Sequence, residues 1–430
     1  MNHTGNVYEK TFIAFYALIP LVDTFNGFLL LNHIPSPVGQ AYRIFVMMIF
    51  SLFLLKWGDK KSFYKLFIFI SFLYILQCVY FYSGQSIKGL KYDFSLVTKL
   101  IFIILGIETY RCLYKKELVS RKTIEQILKI SLIVFPLTIL VPKILGVGFA
   151  AYGESGGYSA FYFANNDINI VLIILFVYSL ELLFRSIRLR KFKLRYLFGF
   201  ITMIIVTLLI GSKSSMGLCV LTILVYLFRS LKQNSLVNNM KLFFGIGLSI
   251  VVMIQVVSRL FQDQMEGIME RNTYFFMNSS SLLNFLLSSR DVFLQAAIES
   301  LIRSEHFLMR FLFGIGPYER NAGIGGLLNI RFKEIEMDFF DVFFAFGLVG
   351  TLIIYSYFLS IYLKSGAKTA VGKRYLFAYK YIFIAIMAFS TVVGHVLFSA
   401  LAGSYLSLIC AMLIGGDPDE HTARLKYVSE

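Results

Sequence analysis

A chain of 430 residues that is 57% apolar and 17% aromatic but only 15% charged is not a soluble globular domain, where about a quarter of residues carry charge. A mean hydropathy of +0.72 also excludes disorder and leaves a polytopic membrane protein. The net charge of +16 is no nucleic-acid signature, because Lys and Arg cluster between apolar runs, where they set topology and meet anionic headgroups. No nucleic-acid partner is expected. Cys78, Cys112, Cys219 and Cys410 lie in or beside apolar segments without a C-x-x-C, so neither a disulfide framework nor a zinc site is expected. The first apolar run lacks a basic leader and a small-residue cleavage site, and is expected to remain as the first span.

In chain order, apolar runs of spanning length fall at 11–31, 41–55, 64–83, 94–110, 124–145, 162–184, 196–211, 216–229, 241–262, 339–363, 376–393 and 395–415. They predict an all-α polytopic membrane protein of about 12 transmembrane helices. The connections at 56–65, 111–123, 185–195, 229–241 and 364–374 hold 22 Lys and Arg, against 4 in the alternate connections. By the positive-inside rule both termini face the cytoplasm and segment 263–338 faces outward. The expected organisation is an N-terminal transmembrane bundle over 1–262 (about nine spans), a large extracytoplasmic loop over 263–338, a C-terminal bundle over 339–415 (about three spans) and a cytoplasmic tail over 416–430. Within the loop, Ser288 to Asp291 reads as a capping box opening an amphipathic helix. Its polar positions are Asp291, Gln295, Glu299 and Arg303, its apolar face holds Val292, Leu294, Ala297, Ile298, Leu301 and Ile302, and Gly314–Pro317 ends it. Such a helix would lie on the membrane surface.

Ionisable groups inside or at the lip of spans are functional candidates. Lys99 sits near the middle of the fourth span, with snorkelling as the alternative. Lys213, in Gly211-Ser-Lys-Ser-Ser, offers one cation among hydroxyls, which suits a phosphate; a polar hairpin tip is the alternative, and the Walker spacing is absent. Gly153–Tyr158 followed by Tyr162 and Asn165-Asn166-Asp167 forms a Gly-rich lip whose amides and carboxylate suit sugar hydroxyls, with Tyr162 stacking on a pyranose; one of the three polar residues is accounted for by an N-cap. Arg290 in the first turn of the loop helix makes an anion site with the helix N–H groups, or else a surface ion pair.

Glu334-Ile-Glu336-Met-Asp338-Phe-Phe-Asp341 places four carboxylates at the entrance of an apolar span. Helical spacing puts Glu334, Asp338 and Asp341 on one face, and desolvation there suits a general base. Enrichment of acids at a helix N-terminus is the plainer explanation, and Asp341, one turn in, fits it least. His395 follows Gly394 in a turn between the last two spans and is a packing residue or a base. Asp417-Pro-Asp419, in the polar tail, is treated as noise.

Three stretches together resemble the O-antigen ligase/O-antigen polymerase superfamily of membrane glycosyltransferases: Tyr162–Asp167, Gly211–Ser215 with its following span, and Ser288-Ser-Arg-Asp291 leading to Phe313-Gly-Ile-Gly316. Glu336–Gly350 is similar to the segment after the family's large outer loop, and Gly394–Gly403 to the version in bacterial capsular polysaccharide polymerases. The resemblance covers most of residues 90–415.

It implies a GT-C-type, inverting, metal-independent glycosyltransferase without cofactor in the bacterial cytoplasmic membrane. Its donor would be a polyprenyl-diphosphate-linked oligosaccharide, and membrane lipid, a flippase and a chain-length co-polymerase would be its partners. The family's diphosphate-binding basic residues match Lys213 and Arg290, and less closely Lys99. Where the ligases carry Ser-Arg this chain has Ser212-Lys213, and where they carry a His-Asn pair it has Glu336-Met-Asp338. The resemblance therefore favours a polymerase with Asp338 or Glu336 as base, then Asp341 or His395. Transfer of a finished glycan by a ligase is the alternative. A transporter is the competing class, but its sites lie at the midplane of repeated halves, whereas these charges sit at the outer face and the halves differ.

Overall fold

The structure, a computed structural model, describes the chain except residues 1–2, 83–85, 152–155, 189–192, 232–235, 279–281, 289, 367–369 and 415–430. The expectations for Gly153–Ser155, Ser289 and the tail with Asp417 and Asp419 lie outside the described residues. Apolar runs broken by Gly, Pro and basic turns give helices α1 (His3–Leu31), α2 (Val38–Trp57), α3 (Lys60–Tyr82), α4 (Ile87–Lys115) and α5 (Arg121–Ile144). A short antiparallel pair, β1 (Phe149–Ala150) and β2 (Tyr158–Ala160), precedes α6 (Asn165–Arg188), α7 (Leu194–Ile210), α8 (Lys213–Leu231) and α9 (Leu236–Leu260). The long loop folds into α10 (Gln262–Asn278), α11 (Leu282–Leu287), α12 (Arg290–Ile302), α13 (Phe307–Phe313) and α14 (Pro317–Leu328). Helices α15 (Asp338–Lys364), α16 (Ala370–Val392) and α17 (Ala400–Ile414) close the chain.

Each of the twelve predicted runs coincides with a helix, and the protein is an all-α polytopic membrane protein. Among the described residues, 8 helices are long and apolar enough to cross a membrane by themselves: α1, α2, α3, α5, α6, α8, α15 and α16. The helix α7, the apolar part of α9, and α17 are shorter. The last run is where the structure departs most from expectation: residues 393–399 are not helical, and α17 starts only at Ala400. From Ala400 to Leu413 every α17 residue is buried, as a helix apolar all round should be.

Contacts divide the chain into two units, residues 1–12, 43–124 and 280–430, and residues 13–42 and 125–279. Segment 263–338 contributes to both. In the second unit α6 is the central helix, with Ile168 to Leu180 buried without interruption. In the first unit α17 packs mainly on α4, where Gly403 leaves room for the Ile103 side chain.

The loop helix differs from its expected form. It ends at Ile302, and α13 and α14 are separate helices. Ser288 takes φ +52°, not the extended N-cap conformation, and Asp291 accepts from Asn284 Nδ2 at 3.1 Å. Ala297 and Leu301 pack with Ile315, Ile324, Ile335, Met337 and Phe344, while Val292, Ile298 and Ile302 are exposed. Both sides of α12 therefore carry apolar surface.

A break in α15 positions the site. Gly347 takes φ +66° and ψ −173° inside the helix, and a Cβ there would overlap the Leu312 carbonyl. Breaking a helix frees carbonyls that lipid cannot satisfy. Here Ile315 N donates to Phe344 O at 2.8 Å, and the Tyr80 hydroxyl reaches Ala345 O at 3.2 Å as well as Phe313 O. The Phe313–Gly316 turn and the kinked span thus form one joint.

Candidate active site

The joint delivers α14 and the start of α15 to the first end of α4. Asp93, buried on α4, accepts from Tyr318 N at 2.8 Å and so caps α14, which Pro317 opens at a position needing no N–H. The next turn of α14 carries Arg320, only 1% exposed, and Asn321. Arg320 pairs with Asp341 (Nη1–Oδ1 2.6 Å), and its Nε donates to Asn321 Oδ1 at 2.8 Å. Asn321 Nδ2 donates to the Tyr92 hydroxyl at 3.0 Å, and Tyr92 donates to Glu334 Oε1. Glu334 Oε2 meets His395 Nε2 at 2.7 Å. Nδ1 of His395 stands 3.8 Å from both Asp338 Oδ1 and Asp341 Oδ2, which closes a circuit back to Arg320. Asp338 Oδ2 takes the N–H groups of Val396 (2.6 Å) and Leu397 (3.0 Å), fixing the His395 turn to the head of α15.

Beside this circuit, Arg290 Nη2 donates to Glu336 Oε2 at 2.8 Å and Lys333 Nζ to Glu336 Oε1 at 3.0 Å. Glu336 holds φ +63°, a conformation unfavourable for a non-glycine residue. Its neighbours Ile335 and Met337 are both buried in the apolar cluster, and Glu336 is left facing the two cations. The side chains of Asp338 and Asp341 are 0% exposed, that of Arg290 10% and that of Glu336 27%. Glu336 is the carboxylate of the pair with Asp338 that an incoming molecule can reach.

Burial works against charge on Glu334, but His395, Tyr92 and Arg320 outweigh it and hold the carboxyl well below the usual carboxylate range. Glu336 is lowered likewise, against burial, by Arg290 and Lys333. For His395 burial opposes the charge, yet the carboxylates of Asp338, Glu334 and Asp341 raise it well above the imidazole range. Folding raises the His395 pKa, so its contribution to stability is full below the unfolded value of about 6.5 and fades as pH rises through the folded value. Glu334 runs the other way: its contribution is present above about pH 4.3 and is lost as pH falls through the lowered folded value. His395→Gln should therefore depress the melting temperature most between about pH 5 and 6.5, and less toward alkaline pH. A deficit that stays constant from about pH 5 on into the alkaline range would mean an uncharged imidazole held by packing alone.

Asp338, Asp341 and His395 also offer ligand atoms within 4.8 Å of one another, a spacing that suits a divalent cation. Arg320 and the charged His395 already supply positive charge to the same carboxylates.

The sequence-predicted residues sort by unit. Arg290, Glu336, Asp338, Asp341 and His395 come together in the first, where Lys99 is half-buried on α4 two turns beyond Tyr92. Lys213, Asn165, Asn166, Asp167 and Tyr162 belong to the second. Lys213 opens α8 with its Nζ 5.3 Å from the Phe275 ring centre, after Gly211 ends α7 at φ +69°. Asn165 donates to Ala151 O, and Asn166 and Asp167 are half-buried at the head of α6. Two expectations are corrected. Tyr162 presents no face to a pyranose: it is 4% exposed, and its hydroxyl bonds Thr138 Oγ1 at 2.7 Å and Pro20 O at 3.3 Å. Glu334 shares no helical face with Asp338 and Asp341, because α15 begins at Asp338 and Glu334 lies in the extended segment before it.

Sequence reasoning missed Tyr92, Asn321 and Lys333, and did not single out Arg320 among the arginines of the loop. The signal for Arg320 was its place three residues after the Gly-Pro that opens α14. Asn169 was missed too; it lies one turn beyond Asn165, is 1% exposed and donates to Ser212 Oγ at 3.0 Å.

No curated protein and no solved structure matches the chain. The family described as O-antigen ligase like membrane protein matches residues 5–277 and 275–416. With that match running almost end to end over a bundle of apolar helices, the chain belongs to the O-antigen ligase like membrane protein family.

Proposed function

We propose that the protein is an inverting membrane glycosyltransferase of GT-C type that polymerises polyprenyl-diphosphate-linked oligosaccharide repeats on the outer face of the cytoplasmic membrane. The observation that carries this reading is the pairing of Arg290 and Lys333 with the partly exposed Glu336. A lipid diphosphate leaving group needs fixed cations where its charge develops, and those two can supply them. Drawn to the diphosphate, they would release Glu336, whose basicity would rise as its cations leave. The freed carboxylate then takes the proton of the acceptor hydroxyl while that oxygen attacks the anomeric carbon from the side opposite the diphosphate. The glycosidic bond forms as the bond to the diphosphate oxygen breaks, and the configuration inverts. The hydrogen-bonded circuit of Arg320, Asp341, His395, Glu334 and Tyr92 holds the segment carrying Glu336 in place. Lys213, Lys99, Asn165, Asn166 and Asp167 are proposed to bind donor and acceptor, and the flippase and chain-length co-polymerase to act beside the enzyme.

Deleting the gene and analysing the surface glycan tests the reading. Single repeats are expected; full-length chains lacking their final attachment would give the protein a ligase's role instead. Because the cations are side chains, purified enzyme should elongate lipid-linked repeats in excess EDTA. Strict dependence on an added divalent cation would instead assign Asp338, Asp341 and His395 to a metal.

A further inference from the structure

The other end of α4 in the same unit presents an arrangement the candidate active site does not use. Arg121, the first residue of α5, is 9% exposed, yet its Nε, Nη1 and Nη2 have no hydrogen-bond partner among the described residues. Its guanidinium lies 5.6 Å from the Tyr375 ring centre. The Tyr110 hydroxyl, on a side chain 0% exposed, also has no partner among the described residues, and Arg121, Tyr375 and Glu9 are its electrostatic neighbours. The nearby carboxylate is engaged: Glu9 Oε1 accepts from Ser120 Oγ at 3.0 Å and from Thr123 Oγ1 at 2.8 Å. The Ser120 hydroxyl is spent on Glu9 and its carbonyl accepts from Thr123 N at 3.1 Å, while the N–H groups of Arg121 and Lys122, at the very start of α5, have no intrahelical acceptor.

A cation–π contact returns about 0.5–2 kcal/mol. A buried guanidinium without acceptors costs several kcal/mol. A planar fork of donors on the first residue of a helix thus lies in the electrostatic neighbourhood of a buried hydroxyl, and an anion with several acceptor oxygens suits all three donor groups. Eighteen residues of α4 separate Tyr110 from Tyr92, about 27 Å of helix, so this is a second place. Connection 111–123 carries Arg111, Lys115, Lys116, Arg121 and Lys122, and basic pockets between spans suit phosphate headgroups.

We propose that Arg121, Tyr110 and the N-terminal turn of α5 bind a phosphate group, from an anionic lipid headgroup or from free phosphate. Melting of the purified full chain in detergent tests this with three probes: inorganic phosphate, phosphatidylglycerol, and diacylglycerol as the phosphate-free lipid. Ligands that bind only the folded state raise its melting temperature. An upward shift with phosphatidylglycerol but not diacylglycerol or free phosphate identifies a headgroup site, and a shift with inorganic phosphate alone a soluble ligand. Arg121→Met should melt higher than the wild type without ligand, because an unsatisfied charge is gone, and should lose the shift entirely. Tyr110→Phe, a milder change, should reduce the shift, whereas Lys65→Ala, at an exposed position on α3 outside the site, should preserve it. No shift of the wild type with either phosphate source, or an undiminished shift in Arg121→Met or Tyr110→Phe, overturns the proposal. So does a shift that appears only after residues 415–430 are removed, which would give the site to the tail's own acids, Asp417, Asp419 and Glu420.

Discussion

Arg290→Ala is expected to abolish polymer in cells while folded protein remains in the membrane. Arg290 is the less exposed of the two cations on Glu336, and its Nη1 donates to Leu287 O at 3.1 Å, which fixes the plane of the fork. Removing one preorganised donor from a developing anion costs about 10²–10³-fold in turnover. Arg290→Lys should recover little, because a point charge replaces a planar fork with a set direction. Arg310→Ala, on exposed α13, is the control and should leave the polymer near its normal amount. If Arg290→Ala and Arg310→Ala are equally mild in a glycan assay, the Arg290–Glu336 pair is only a strut, and the reaction is carried elsewhere.

The second large effect is on folding. Arg320→Ala leaves Asp341, 0% exposed, without its close ion-pair partner and with only His395 Nδ1 at 3.8 Å, and breaking a buried pair costs about 3–5 kcal/mol. Loss of folded protein from the membrane fraction is the expected result. Replacing both partners by apolar residues of similar volume is often close to neutral, so Arg320→Met with Asp341→Leu should restore much of the yield. The comparison separates a cost of desolvation from a need for these particular groups. Wild-type yield of Arg320→Ala alone would show that Asp341 sits in a wetter place than its burial implies.

The sequence carried the helices further than the site. Apolar runs must become helices in lipid because no other backbone satisfies its own hydrogen bonds there, and all twelve runs did. Glu334 shows where periodicity stops being a guide: it was placed on a helical face by spacing, but the segment before α15 is extended. Tyr162 was read from its place beside polar residues, yet burial is set by what packs on it, here Phe135 and Thr138. Arg320 looked like any loop arginine until Asp341, twenty-one residues on, came within 2.6 Å.

By itself, then, the amino-acid order determined what a local rule can see: helices, loops, the excess of basic residues on alternate connections, and the carboxylates at the head of α15. It also placed Gly314 and Gly347 in the chain, but not against each other; their contact depends on two backbones meeting across a break in a helix. Which charges neutralise which was decided only in three dimensions. The Tyr92–Glu334 bond joins positions 242 residues apart, and nothing within a helical turn of either signals it. A charge in a dry interior is set by whatever group happens to reach it, since low dielectric makes one close partner outweigh every distant one. That is why α4, α12, α14, α15 and the His395 turn had to be assembled before Glu336 emerged, of the two base candidates Glu336 and Asp338, as the one within a substrate's reach.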